Sequence, residues 1–176
     1  MEFLTIFTLF LIAGGVICEP LSKDPDYYWR YYFGRMPEDA LLGGYDQAGK
    51  PKYVGQLYHN FKMIPSYAGG KSLQEQLHGK VEILCTRNPC RYKWIPTNST
   101  HIRSLESQYT LISGGYDHER SVYFGRVNFD MELRIGPVYL DGQNFNFEIP
   151  HLDGQRIFKS YQVLVYDYKN QECVRS

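Results

Sequence analysis

Polar and apolar residues alternate strictly along Asn144-Phe145-Asn146-Phe147-Glu148-Ile149, the period-two pattern of a strand with one buried face. Residues 52–58 and 121–127 are dense in β-branched and aromatic side chains, and a Gly/Asp turn precedes each. Residues 160–168 read as a long final strand. Turn signals such as Leu140-Asp141-Gly142-Gln143 and Leu152-Asp153-Gly154 recur at roughly ten-residue spacing, as in all-β sandwiches. Only residues 71–77 have the makings of a short helix, and residues 99–107 fit neither pattern. The predicted class is all-β.

The strand pattern is duplicated. Gly43-Gly44-Tyr45-Asp46, followed by Tyr53-Val54-Gly55-Gln56, returns as Gly114-Gly115-Tyr116-Asp117, followed by Tyr123-Phe124-Gly125-Arg126. Such self-similarity implies one structural unit copied in tandem. Trp29 answers to Trp94, Pro65 to Ile135, and Glu82-Ile83-Leu84 to Gln162-Val163-Leu164. The offset grows along the chain, which predicts insertions in loops. Paired glycines permit φ > 0 or close backbone approach, and Asp bonds readily to the backbone two residues on. The Gly-Gly-Tyr-Asp segment is therefore either a turn feeding a strand or a binding turn built around Asp46 and Asp117.

The first 18 residues have a different character. Residues 3–12 form an apolar run too short to span a bilayer, and small residues lie near Cys18, as signal-peptidase cleavage requires. Residues 1–18 are expected to be a signal peptide, 19–92 a first repeat and 93–176 a second, both in one compact domain. The expected location is secreted and extracellular, with no membrane span. The mature chain would carry 19 basic and 18 acidic residues, with no basic stripe, so nucleic acid is not an expected partner. Sixteen tyrosines suit both half-wet strands and stacking on sugar rings. The aromatic cluster from Tyr27 to Phe33 is expected to pack the N-terminal edge against the second half.

Three cysteines follow the leader. Cys85 and Cys90 flank a turn-forming tetrapeptide, and a local disulfide between them is favoured over a bridge from either one to Cys173. Asn98-Ser99-Thr100 is an acceptor sequon, so Asn98 is an expected glycosylation site. The five histidines are scattered, and His-x-x-x-His, Gly-x-Ser-x-Gly and phosphate-loop patterns are absent. His118 follows Asp117, but adjacent strand residues face opposite ways, a poor arrangement for a general-base pair. An enzyme is not expected, and neither a metal nor any other cofactor.

Taken in order, Gly34-Arg35-Met36-Pro37-Glu38-Asp39-Ala40, Gly43-Gly44-Tyr45-Asp46-Gln47-Ala48-Gly49, Tyr53-Val54-Gly55-Gln56, Val81-Glu82-Ile83-Leu84, Trp94-Ile95-Pro96, Tyr123-Phe124-Gly125-Arg126 and Tyr161-Gln162-Val163-Leu164 resemble the DM-nine repeat, also found in natterin-like proteins. The resemblance covers essentially all of the mature chain. It implies a pseudo-symmetric β-sandwich of two tandem repeats, sometimes dimeric, with lectin-like recognition of mannose-type glycans and defence or host-interaction roles. Its acidic sugar contact falls on Asp46 and Asp117. Its lysine contact falls on Tyr67 in the first repeat and Pro137 in the second. The resemblance therefore implies a first-repeat sugar site of Asp46 and Tyr67, a reduced second site around Asp117, and a glycan or cell-surface glycoprotein as partner. The alternative is a secreted salivary, venom or immune effector that keeps the fold and binds a protein.

Overall fold

The strand-like runs expected at 52–58, 121–127, 144–149 and 160–168 all fall on strands in the computed structural model, which describes residues 22–69, 80–118, 120–151 and 154–170. The first five are β1 (Tyr27–Tyr31), β2 (Leu42–Tyr45), β3 (Pro51–His59), β4 (Lys62–Ala68) and β5 (Lys80–Thr86). Next come β6 (Tyr92–Asn98), β7 (Thr110–Leu111), β8 (Ser113–Asp117), β9 (Arg120–Phe129) and β10 (Glu132–Asp141). The last three are β11 (Asn144–His151), β12 (Gly154–Phe158) and β13 (Ser160–Tyr166). All of the ladders are antiparallel and connect into one hydrogen-bonded network. The fold is all-β and sandwich-like. The ambiguous stretch at 99–107 contains a 3-10 helix, Ile102–Ser107, whose Ile102 is fully buried. The proposed leader and the short-helix candidate at 71–77 lie outside the described residues.

The registers of the two halves coincide. Trp29 pairs with Leu84 as Trp94 pairs with Leu164. Gln56 pairs with Glu82 as Arg126 pairs with Gln162. The side chains keep the equivalence: Gln56 donates to Glu82 at 2.6 Å, and Arg126 donates to Gln162 at 2.6 Å. Both Gly-Gly segments carry a bulge at the same place, between Leu42 and Gly44 and between Ser113 and Gly115. Both long hairpins close on two residues of positive φ, Asn60-Phe61 and Asp130-Met131, the turn geometry whose twist matches a two-residue hairpin. The extra residues of the second half are not all loop. One set includes the 3-10 helix, and the other falls where β11 and β12 form a hairpin.

Alternation along the strands builds three cores. Val54, Leu84, Phe124, Leu164 and Tyr166 point into a central cluster to which both halves contribute. Their neighbours Val81, Ile83 and Cys85 face a cluster confined to the first half, and Val163 and Val165 face one in the second. Burial on both faces of β5 explains why Ile83, Leu84 and Cys85 are apolar in succession. The N-terminal aromatics divide among these environments. Trp29 stacks on Phe124 of the second half at 6.3 Å, as expected, whereas Tyr28 and Tyr32 cover the first-half core and Phe33 is 88% exposed.

The expected Cys85–Cys90 disulfide is not formed. Cys85 is a free thiol with no exposure, while Cys90 lies on an exposed turn. The register gives the reason. Cys85 bridges to Ala40 as Val165 pairs with Leu111, so the thiol fills a valine's place in the core. The competing pairing with Cys173 lies outside the described residues. Burial, then the Asp39 carboxylate, pushes the Cys85 thiol up to about 11 from 9.0. A raised pKa means that stability is full below about pH 9 and falls as pH rises toward 11. Cys85 is therefore expected to resist a thiol reagent at pH 8 in the native protein and to react once urea unfolds it. Rapid labelling of Cys85 in the native state would contradict this burial.

Candidate functional site

The two Gly-Gly-Tyr-Asp turns are each met by the hairpin of the other repeat. The β9–β10 hairpin leans on the first turn: Leu133 packs against Gly44, and Gln47 donates to the Asp130 carbonyl at 3.1 Å. The β3–β4 hairpin leans on the second, where Met63 pairs with Tyr116 and its carbonyl crowds Gly115. The same exchange thus occurs twice, but with opposite charges at its centre.

At the first turn the hairpin supplies the carboxylate. Glu132 accepts a short hydrogen bond from Lys52, whose side chain is 1% exposed, and pairs with Arg134 at 2.8 Å. Lys52 also donates to the Leu133 carbonyl at 2.8 Å and sits 4.4 Å over the Tyr67 ring. This places the two expected sugar contacts of the first repeat. Tyr67 is 6% exposed and one of its faces is taken by an ammonium, so it is not the open stacking surface expected. Asp46 accepts from the backbone N–H groups of Ala48 at 2.9 Å and Lys50 at 2.8 Å through the same oxygen. That is an Asx-type turn, and it commits Oδ1 to the loop.

At the second turn the hairpin supplies the cation. Lys62 Nζ lies 2.7 Å from Asp117 Oδ1. The ammonium is the charged partner of this oxygen, which is itself buried. The difference from Asp46 lies in turn length. β8 runs through Asp117 and pairs it directly with Arg120, so its carboxylate has no wider loop to hold. His118 has φ +45° and is 86% exposed, with Nε2 3.5 Å from the same oxygen. Strand alternation predicted that the two side chains would diverge, and the left-handed backbone of the turn brings them together instead.

Around Asp117 opens a polar cleft of about 620 Å³, which includes Lys62, His118, Arg120, Tyr139, Glu148 and Gln155. Tyr139 comes from β10, and Glu148 and Gln155 come from the β11–β12 hairpin. Burial, followed by Asp117 and Glu148, raises the Tyr139 hydroxyl to about 12, keeping it a neutral donor at physiological pH. Burial and then Asp141 also push Glu148 up, while the Gln155 amide, donating to Glu148, pulls the other way. Two carboxylates, an amide, a phenol and cations therefore converge on one cavity. Such a set can accept from and donate to adjacent hydroxyls at once. Sequence reasoning reached Asp117 but missed Lys62, Tyr139, Glu148 and Gln155. The position of Lys62, aligned with Glu132 in the duplicated hairpin, was the available signal.

Asn98, at the end of β6, accepts from Thr100 Oγ1 at 2.9 Å and from the Thr100 and His101 backbone N–H groups. The sequon is thus folded into its own turn. No helix among the described residues is long and apolar enough to cross a membrane.

No curated protein matches the sequence. Among solved structures, the crystal structure of the nematode sperm cell motility protein MFP2B is similar in fold, with a TM-score of 0.53 at 10% identity. The alignment covers 88% of this chain and 50% of MFP2B, so the chain spans about half the length of that neighbour. The family model for the DM9 repeat matches residues 66–153, running from β4 of the first half into the β11–β12 hairpin of the second. That match takes in half of the sequence, and the chain belongs to the DM9 repeat family.

Proposed function

We propose that this protein is a non-enzymatic, lectin-like glycan-binding protein that uses the Asp117 cleft rather than the Asp46 turn. The observation that carries this reading is the Asp117–Lys62 ion pair, a carboxylate and an ammonium side by side in a cavity shared with Tyr139, Glu148 and Gln155. A sugar with two neighbouring hydroxyls can donate to the carboxylate and accept from the ammonium or amide. DM9 membership and the lectin-like behaviour implied by the repeat's resemblance support the same class of ligand, with mannose-type glycans the first to test. The leader and the Asn98 sequon support a secreted, glycosylated protein with a defence or host-interaction role.

The test is a glycan array with the wild type and the Asp117→Asn and Asp46→Asn variants. Asp117→Asn is expected to weaken binding by about ten- to a hundredfold, the usual scale for losing a charged hydrogen bond. Asp46→Asn is expected to keep its affinity, because that carboxylate holds a turn. Loss of binding with Asp46→Asn alone would reverse the assignment of the site. A blank wild-type array would favour the second reading, a secreted effector with a protein partner. That reading has its own observation, the exposed Tyr31 and Phe33 beside Arg30 and Arg35 along a groove of about 760 Å³.

A further inference from the structure

The polar cleft does not end at Tyr139. A second cavity of about 340 Å³ shares Tyr139, Glu148 and Gln155 with it and continues between β4 and β10. Its character changes at once: beyond those three side chains the walls include Ile64, Pro65, Ile135, Pro137 and Ile149, with Ser66 the one further polar side chain, and the lining is mostly apolar. The repeat makes this change legible. Ile64 stands where the other hairpin has Arg134 paired with Glu132, and Pro137 stands where the first repeat has Tyr67. The site built around Asp117 and Lys62, to which both halves contribute, thus lacks the guanidinium and the phenol that stand at the equivalent places of the other site. A polar head site and an apolar chamber that meet at a phenol and a carboxylate suit one ligand with both characters.

Resting on the glycan reading above, we infer that the site takes an amphipathic saccharide, a sugar carrying an alkyl or acyl substituent, with its hydroxyls at Asp117 and Lys62 and its apolar chain between β4 and β10. A bare sugar would leave the apolar chamber to water. A chain entering it removes its methylenes from water against those apolar walls.

The test is calorimetric titration of the protein with methyl, butyl, hexyl and octyl α-mannosides, each below its micelle concentration. Affinity is expected to rise by up to about fourfold per methylene until the chamber is full, making the octyl glycoside at least tenfold tighter than the methyl. Ile64→Thr, which keeps a β-branched strand residue but adds a hydroxyl, should reduce the octyl gain while leaving methyl mannoside binding unchanged. Asp117→Asn should weaken the whole series. Equal affinity across the series would overturn the inference and leave the glycan reading standing. An octyl gain that survives both Ile64→Thr and Asp117→Asn would mean chain adsorption elsewhere and would also overturn it. No binding by any member, methyl mannoside included, would overturn the mannose-type glycan reading and this inference with it.

Discussion

Replacing Glu132 by Ala is expected to destabilise the protein by about 3 kcal/mol, the cost of leaving a buried cation without its counter-charge. Lys52 is 1% exposed, and its ammonium has three neighbours: the Glu132 carboxylate, the Leu133 carbonyl and the Tyr67 ring. Without Glu132 it keeps one neutral acceptor and a ring face, which do not offset desolvation of a full charge. Arg134 also loses a partner, but its side chain is 36% exposed and water can replace the carboxylate. For a chain of this size the loss corresponds to a fall in melting temperature of roughly 6–12 °C. The second repeat supplies the control. The position equivalent to Lys52 is Val122, equally buried at 1%, so the fold accepts an apolar side chain there. Lys52→Met combined with Glu132→Ala should therefore recover most of the stability lost in Glu132→Ala alone. Urea unfolding of both variants checks this. A double variant no more stable than Glu132→Ala would mean that the damage comes from lost packing of the hairpin, not from an orphaned charge.

What was legible in the sequence follows from what is local. Period-two alternation marked residues 144–149 because Phe145, Phe147 and Ile149 are buried while their neighbours are not. Duplicated Gly-Gly-Tyr-Asp and Tyr-x-Gly segments fixed the correspondence of the halves because bulge, hairpin and terminal strand each keep their register. The site depended on cross-repeat contacts, which no local pattern encodes. Lys62 and Asp117 are 55 residues apart in sequence and 2.7 Å apart in space. The lysine contact sought within each repeat is instead delivered by the hairpin of the other. Cys85 misled for the same reason: its spacing to Cys90 suits a bridge, but strand register turns its side chain into the core.

The glycines of the two turns should respond very differently to the same methyl group, and the ranking tests whether the repeats are locked together through these turns. A Cβ on Gly115 would lie 2.0 Å from the Met63 carbonyl oxygen and 2.6 Å from its carbon. Those are backbone atoms of β4 in the opposite repeat, with no rotamer to absorb the clash. Relief requires β4 to move away from β8, breaking their only registered pair, Met63 with Tyr116. Gly115→Ala is expected to cost about 3 kcal/mol or more, in the range of severe overpacking. At Gly44 the nearest atom is Leu133 Cδ2 at 2.1 Å, the end of a side chain that can rotate. The φ of +146° adds strain, so Gly44→Ala should be destabilising but less so, at about 2 kcal/mol. Gly49, with φ +74° and nothing within 4 Å of an added Cβ, carries only the conformational penalty, about 1 kcal/mol. Denaturant midpoints measured for the three variants should fall in that order. If Gly115→Ala unfolds no more easily than Gly49→Ala, β4 and β8 can separate at little cost. The Asp117 cleft, walled on one side by that same hairpin, would then not be preformed before its ligand arrives.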